Sequence, residues 1–338
     1  MRVRVPKLDA TVYITREIPR PGIDLLTEAC RQVDVNPDDR VLTREELLAA
    51  VRGRDAVLCL LTDTIDAAVL DAARGCQIFA NCAVGFNNID LRAATERGIA
   101  VTNTPGVLTD ATADLTWAIL LSLARRIVEG DRFTRAGKFR GWGPMLFLGG
   151  DVSGRTLGIV GAGRVGTAVA LRSRGFRMRV LYCDHVQNEA LEQAVGARRV
   201  ELAELLRESD FVSTHVNLDA ATHHLIGARE LALMKPTAYL INTSRGPVVD
   251  EAALVEALRK RQIAGAGLDV FENEPELAPG LVELDNVVIP PHLGSATIGT
   301  RTRMATLAAA NILARLRGER PPNLVNPEVL SSQAGTQG

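Results

Sequence analysis

Between residues 161 and 166 the chain reads Gly161-Ala162-Gly163-Arg164-Val165-Gly166, directly after the apolar run Leu157-Gly158-Ile159-Val160. A glycine-rich turn alone says little. One that follows a strand and opens a helix, here Thr167–Arg172, is suited to a pyrophosphate. Gly161 permits the tight turn, Gly163 lets phosphate approach the backbone, and Gly166 allows close helix–strand packing. The N–H groups at the helix start then meet the phosphate charge. Eighteen residues beyond Gly166 the next strand ends in Tyr182-Cys183-Asp184. A carboxylate there accepts both ribose hydroxyls and repels a 2′-phosphate, which favours NAD(H) over NADP(H). The plain alternative is a tight strand–helix turn with a surface aspartate. His185 stands where an NADP enzyme often puts an arginine, while Arg172, Arg174, Arg177 and Arg179 lie close enough in sequence to soften the preference.

Three further side chains follow strand-like runs. Arg245 comes after Tyr239–Ser244, Glu274 just beyond Gly267–Phe271, and His292 after Val287–Pro291. In an open parallel sheet the carboxyl ends of the strands line the ligand crevice, so these three could converge. Singly, each has an ordinary reading: a solvated arginine in a turn, a loop glutamate, a histidine packed at a strand end. Together with the phosphate loop, in this order and spacing, they become specific.

Strands alternating with helices throughout predict an α/β fold with parallel sheets. The first series of strands is Val12–Thr15, Ala56–Leu61, Ile78–Val84 and Ala100–Asn103; Thr43 and Glu46 there form a capping-box pattern. The second series is Thr156–Val160, Met178–Asp184, Phe211–Val216, Ala238–Thr243, Gly265–Phe271 and Val287–Ile289. Asp250–Lys260 reads as a helix with acidic start and basic end. Asp110–Thr134 reads as the longest helix in the chain, and the polar segment Ser331–Gly338 as a frayed tail. Gly137–Gly150 holds five of the 29 glycines with Trp142, Pro144 and Phe147, and reads as an ordered loop.

At 338 residues the chain has room for about two domains. A net charge of -1 argues against binding nucleic acid or anionic membrane by bulk charge. The best apolar stretch, Trp117–Ala124, already contains Ser122 and falls short of the ~18 residues a membrane span needs. Lys7 and Asp9 argue against a secretory signal, and five cysteines without a C-x-x-C pair point to reduced thiols in the cytoplasm. His185, His215, His223 and His224 show no metal-ligand spacing, so no metal is expected.

The chain resembles the D-isomer-specific 2-hydroxyacid dehydrogenase family, most closely its glyoxylate/hydroxypyruvate reductase branch. The resemblance rests on Val84–Asp90, Asn103–Asp110, the glycine loop, Asn242–Gly246, Gly267–Phe271 with Glu274-Pro275, and Pro291–Thr297. The run Asn103–Asp114 and the Trp142-Gly143-Pro144 element point to that branch. It implies two Rossmann/flavodoxin-like parallel-sheet domains. Residues 103–294 would bind NAD(P), inserted into a discontinuous substrate domain of residues 1–102 and 295–338. The active site would lie in the crevice between them, with hinges at Pro105-Gly106 and near Gly294.

The resemblance further implies that Arg245 grips the substrate carboxylate or keto oxygen, and that His292 is the general acid for the carbonyl as hydride arrives. Glu274 would orient and charge-stabilise the imidazole. Val84 and Gly85 would hold the carboxylate through their N–H groups. Arg164 and Val165 would lie against the pyrophosphate, with Ala162 in the same loop. Thr109, Thr243, Ser244 and Asp269 would lie near the nicotinamide, and Gly294 would touch the cofactor near His292. Trp142 would reach the neighbouring subunit's substrate pocket in a homodimer; its alternative is a place in this chain's own core. The chain departs from the family at His215-Val216-Asn217-Leu218, where a proline is usual, and at Asp184-His185, which lacks the arginine of NADPH users. Reduction of glyoxylate or hydroxypyruvate is the expected activity. The alternatives are another 2-keto acid, such as in 3-phosphoglycerate oxidation or 2-ketogluconate reduction, and a non-catalytic NAD-sensing corepressor-like protein.

Overall fold

A computed structural model describes residues 6–330; the polar tail expected at 331–338 lies outside them. The chain divides into two compact units, one running up to Leu108 and again from Ala296, the other Thr109–Ser295. In the first, β1 (Leu8–Ile14), β2 (Cys30–Val35), β3 (Ala56–Cys59), β4 (Ile78–Asn81) and β5 (Ala100–Thr102) form a parallel sheet in the order β2-β1-β3-β4-β5. In the second, β6 (Thr156–Val160), β7 (Arg179–Cys183), β8 (Arg198–Arg199), β9 (Phe211–Thr214), β10 (Tyr239–Asn242), β11 (Gly265–Leu268) and β12 (Val287–Val288) run in the order β12-β11-β10-β9-β6-β7-β8. These pairings too are parallel. The first order is flavodoxin-like and the second doubly wound, with its switch point between β6 and β9.

Both sheets are covered on two faces, so their central strands read as continuous apolar runs. β3, β4, β6 and β9 are buried at every position. The period of two still sorts the side chains: Ala56 and Leu58 face the helix Ile298–Leu316, while Val57 and Cys59 face Leu47 and Val69. In the second sheet Val160, Val212 and Leu240 pack with Leu254 and Leu258, whereas Ile159, Phe211 and Ile241 pack with Trp117 and Leu120.

Three expectations need correction. The helix foreseen at 110–134 is two, Thr109–Ala124 and Ile127–Arg135. Arg126 takes a left-handed φ of 53° between them, and the Ala124 carbonyl accepts from the Gly150 amide at 2.8 Å instead of continuing the helix. The longer element is Ile298–Leu316, of 19 residues, capped by the Thr297 hydroxyl. Strands β2 and β8 were absent from the expected series. Both are edge strands; β8 is two exposed arginines, and β2 is Cys-Arg-Gln-Val-Asp-Val, so neither carries the apolar run that marks a buried strand. Asp250 does cap the helix Glu251–Arg259, and Thr43 with Glu46 closes a capping box. Among the described residues no helix is long and apolar enough to cross a membrane.

Candidate active site

At the switch point β6 runs into the glycine loop. Gly161 has φ of +93°, and a side chain there would come within 2.8 Å of the His215 carbonyl, so only glycine fits. The helix Arg164–Arg172 starts at Gly163, where a Cβ would meet open space. The amides of Arg164 and Val165 have no partner among the described residues and point from the start of a helix, which is an anion cradle. Asp184, just past β7, is held by two amides: Ala162 N–H donates to its carboxylate at 2.7 Å and Val186 N–H at 3.2 Å. The Ala162 amide is thus occupied by Asp184.

The arginines named from the sequence stand elsewhere. Arg172 pairs with Asp110 and Asp114, and Arg179 opens β7, at the end away from Asp184, where it pairs with Glu208. Arg174 and Arg177 precede it. The guanidinium beside Asp184 is that of Arg199 on β8, donating to the carbonyls of Asp184 at 2.7 Å and His185 at 2.8 Å. His185 itself is exposed. His215 is pushed down to about 3 by burial, so its ring is neutral; Nε2 lies 2.9 Å from Ser213 Oγ and Nδ1 has no partner among the described residues.

The loops after β10, β11 and β12 bring the reactive trio together. Asn242, fully buried at the end of β10, ties its turn: Oδ1 accepts from Thr214 Oγ1 at 2.9 Å, Ser244 N at 3.0 Å and Ser244 Oγ at 2.8 Å, while Nδ2 donates to Arg245 O at 2.9 Å. A side chain at Gly246 would strike the Phe271 carbonyl, so this glycine lets the Arg245 turn press against the segment that carries Glu274. Glu274 Oε1 accepts from Phe271 N at 2.9 Å, and Oε2 lies 2.9 Å from His292 Nδ1. Burial acts to raise the Glu274 pKa, but the His292 hydrogen bond and charge, the Phe271 amide and Arg245 together hold it below its usual value. Desolvation lowers the Arg245 pKa against the opposing charge of Glu274, yet a guanidinium stays charged.

His292 sits at φ of +55°, a conformation non-glycine residues seldom adopt. The next two residues hold it there: Asp269 accepts from Leu293 N at 2.6 Å and Gly294 N at 2.7 Å. Burial raises the Asp269 pKa, and those amides with the His292 charge work against the rise. Thr112 Oγ1 donates to Gly294 O at 3.2 Å, and Thr116 links Thr112 to Thr243 at 2.8 and 2.9 Å. Thr243, Ser244 and Asp269 therefore scaffold the corner with their polar atoms. Nδ1 is committed to Glu274, so Nε2 is the nitrogen His292 presents.

A family profile described as "D-isomer specific 2-hydroxyacid dehydrogenase, NAD binding domain" matches residues 117–294. The chain belongs to that family. It is 51% identical over 325 residues to a glyoxylate reductase of Thermococcus litoralis, covering 95% of this chain and 98% of that one. A glyoxylate reductase of Korarchaeum cryptofilum is 52% identical, with coverage of 94% and 96%. Among solved structures, a glyoxylate reductase from Paecilomyes thermophila superposes with a TM-score of 0.84 at 31% identity, over 95% of this chain and 99% of that one. An NADPH-dependent glyoxylate/hydroxypyruvate reductase from Sinorhizobium meliloti, solved with NADP and malonate, gives 0.82 at 31% identity, over 95% and 97%. The chain is thus an NAD(P)-dependent oxidoreductase that uses a nicotinamide cofactor.

The remaining positions of this dehydrogenase are scattered. Val84 and Gly85 follow β4 in the smaller unit. Their carbonyls accept from Asn103 at 2.7 Å and Asn81 at 2.8 Å, and their amides have no partner among the described residues. Thr109 opens the helix to Ala124. Trp142 is 86% exposed, so the alternative of a core tryptophan is not what forms; the buried one is Trp117. One grouping was not foreseen: His223 and His224 meet Glu272, with ligand atoms within 4.8 Å of one another. Spacing along the chain could not show it, because Glu272 comes from the loop after the next strand but one.

Proposed function

We propose that this dehydrogenase reduces glyoxylate and hydroxypyruvate to glycolate and D-glycerate, with NADH favoured and NADPH accepted. The observation that carries the reading is the Arg245–Glu274–His292 corner, with Nδ1 held at 2.9 Å by Glu274 and Nε2 without a partner among the described residues. The relatives named glyoxylate reductase, at 51% identity over 95% of the chain, favour this keto acid class.

The glycine loop fits a dinucleotide: its unpartnered amides at Arg164 and Val165 suit a pyrophosphate, and the open space at Gly163 admits it. A dinucleotide whose pyrophosphate is held by this loop would supply the hydride from its nicotinamide ring. Protonated His292 gives its Nε2 proton to the keto oxygen as the carbon is reduced, and the C=O becomes CH–OH. Glu274, kept ionised, stabilises the imidazolium before transfer and fixes the ring. Arg245 pairs with the substrate carboxylate and with the charge developing on the oxygen. The Val84 and Gly85 amides are further donors for the carboxylate. Thr109, Thr243, Ser244, Asp269 and Gly294 shape the nicotinamide end. Asp184 disfavours a 2′-phosphate, with His185 beside it; the Arg199 guanidinium, spent on two carbonyls, tempers the preference without reversing it.

The larger unit is assigned to the cofactor and the smaller to the substrate. Ile127, Phe139, Trp142, Met145 and Leu148 are exposed apolar residues around one loop, which suits a homodimer face that brings Trp142 to the neighbouring pocket. Five free cysteines, four of them buried, suit the reducing cytoplasm. A steady-state panel of glyoxylate, hydroxypyruvate, pyruvate and 2-ketogluconate, each with NADH and NADPH, tests the assignment. The highest kcat/KM is expected for glyoxylate or hydroxypyruvate with NADH; a clear preference for 2-ketogluconate would overturn it.

A further inference from the structure

We propose that His223, His224 and Glu272 form a binding site for a borderline divalent transition metal, with Zn²⁺ the best match. Among the described residues this is the one group of three His, Cys, Asp or Glu side chains whose ligand atoms come within 4.8 Å of one another. His224 Nε2 lies 2.6 Å from Glu272 Oε1, and the His223 and His224 rings stack at 4.1 Å. Successive side chains share one side because His224 has φ of +51°, a left-handed turn that histidine tolerates better than most residues. The backbone that carries them is tied down. His224 N donates to Pro247 O at 2.8 Å, and Thr222 Oγ1 donates to Asn217 O at 2.6 Å. Glu272 is oriented from behind, its N–H donating to Glu251 Oε1 at 2.6 Å and its Oε2 accepting from Glu251 N at 3.3 Å.

Two imidazoles and one carboxylate are the donor set of zinc, cobalt or nickel, whereas Mg²⁺ and Ca²⁺ want oxygen. Ligands in a tetrahedral zinc shell stand about 3.3 Å apart. The His224–Glu272 contact would open slightly and release its shared proton, and the exposed His223 ring would swing inward. A fourth position remains for water. The site is separate from the catalytic pair, since both Glu274 oxygens are engaged by Phe271 N and His292 Nδ1.

Calorimetric titration of the chelator-treated full chain with Zn²⁺ tests this. One Zn²⁺ per chain is expected, with no Mg²⁺ uptake at the same concentrations. His223→Ala, at an exposed position that should not disturb folding, and Glu272→Gln should each weaken binding roughly tenfold or more. Zn²⁺ should raise the Tm of the parent protein and leave that of His223→Ala nearly unmoved. Absence of stoichiometric uptake overturns the proposal. So does uptake that survives both substitutions, or uptake abolished only by His292→Ala, which would place the ion on the catalytic pair.

Discussion

Two imidazole–carboxylate pairs stand at the carboxyl edge of the same sheet, and their carboxylates are two residues apart. His292 lies 2.9 Å from Glu274 and His224 lies 2.6 Å from Glu272. Both histidines adopt positive φ, 55° and 51°. The difference lies in which nitrogen is taken and what faces it. Glu274 takes Nδ1 of His292, leaving Nε2 without a partner among the described residues, and Arg245 supplies a guanidinium charge beside Glu274. Glu272 takes Nε2 of His224, and a second imidazole lies against it in place of a guanidinium. A histidine–carboxylate contact by itself therefore says little about catalysis. The free nitrogen and the neighbouring charge decide whether the pair moves protons or collects a cation.

Removing the charge should break this contrast most strongly. Arg245→Ala is expected to lower kcat/KM for glyoxylate by about 10³-fold, and Arg245→Lys by less, because an ammonium cannot reproduce the fork. Glu274→Gln should lower turnover by roughly ten- to a hundredfold, since the imidazolium loses its counter-charge. It also has a pH signature. The folded-state pKa of Glu274 lies below its ordinary 4.5, so the stability its ionised form contributes is present above that value and lost as pH falls through the folded one. The Tm gap between parent and Glu274→Gln should hold steady from neutral pH down to about 5 and close below that. A gap that widened in acid would contradict the pairing. Asp184→Ala should narrow the NADH-over-NADPH ratio by about five- to tenfold, and an unchanged ratio would remove Asp184 from cofactor choice. His224→Ala should change turnover less than twofold; a loss like that of Glu274→Gln would erase the distinction between the pairs.

The trio could be read from the sequence because each member follows a parallel strand with an apolar run, buried in β10 and β11 and half-buried in the edge strand β12. Arg199 could not, because β8 is two exposed arginines with no apolar signature. Nor could the work of Asn242 and Asp269. A polar residue at a strand end looks the same whether it binds a ligand or ties a turn, and here Asp269 spends both oxygens on the Leu293 and Gly294 amides. Asn242→Ala would leave several buried donors unpaired and should cost about 2–4 kcal/mol of stability by denaturant unfolding. The break at Arg126 was hidden for a related reason: the apolar pattern of a helix continues across it, while the Gly150 amide that ends the helix lies 26 residues beyond Ala124.

The most direct test is a single-turnover reduction of glyoxylate by NADH, comparing the parent enzyme with His292→Ala while NADH binding is followed by fluorescence. If His292 delivers the proton from Nε2, the rate should fall by about 10²- to 10⁴-fold with NADH affinity unchanged within about twofold. An undiminished rate in His292→Ala would mean that the imidazole held by Glu274 is not the acid.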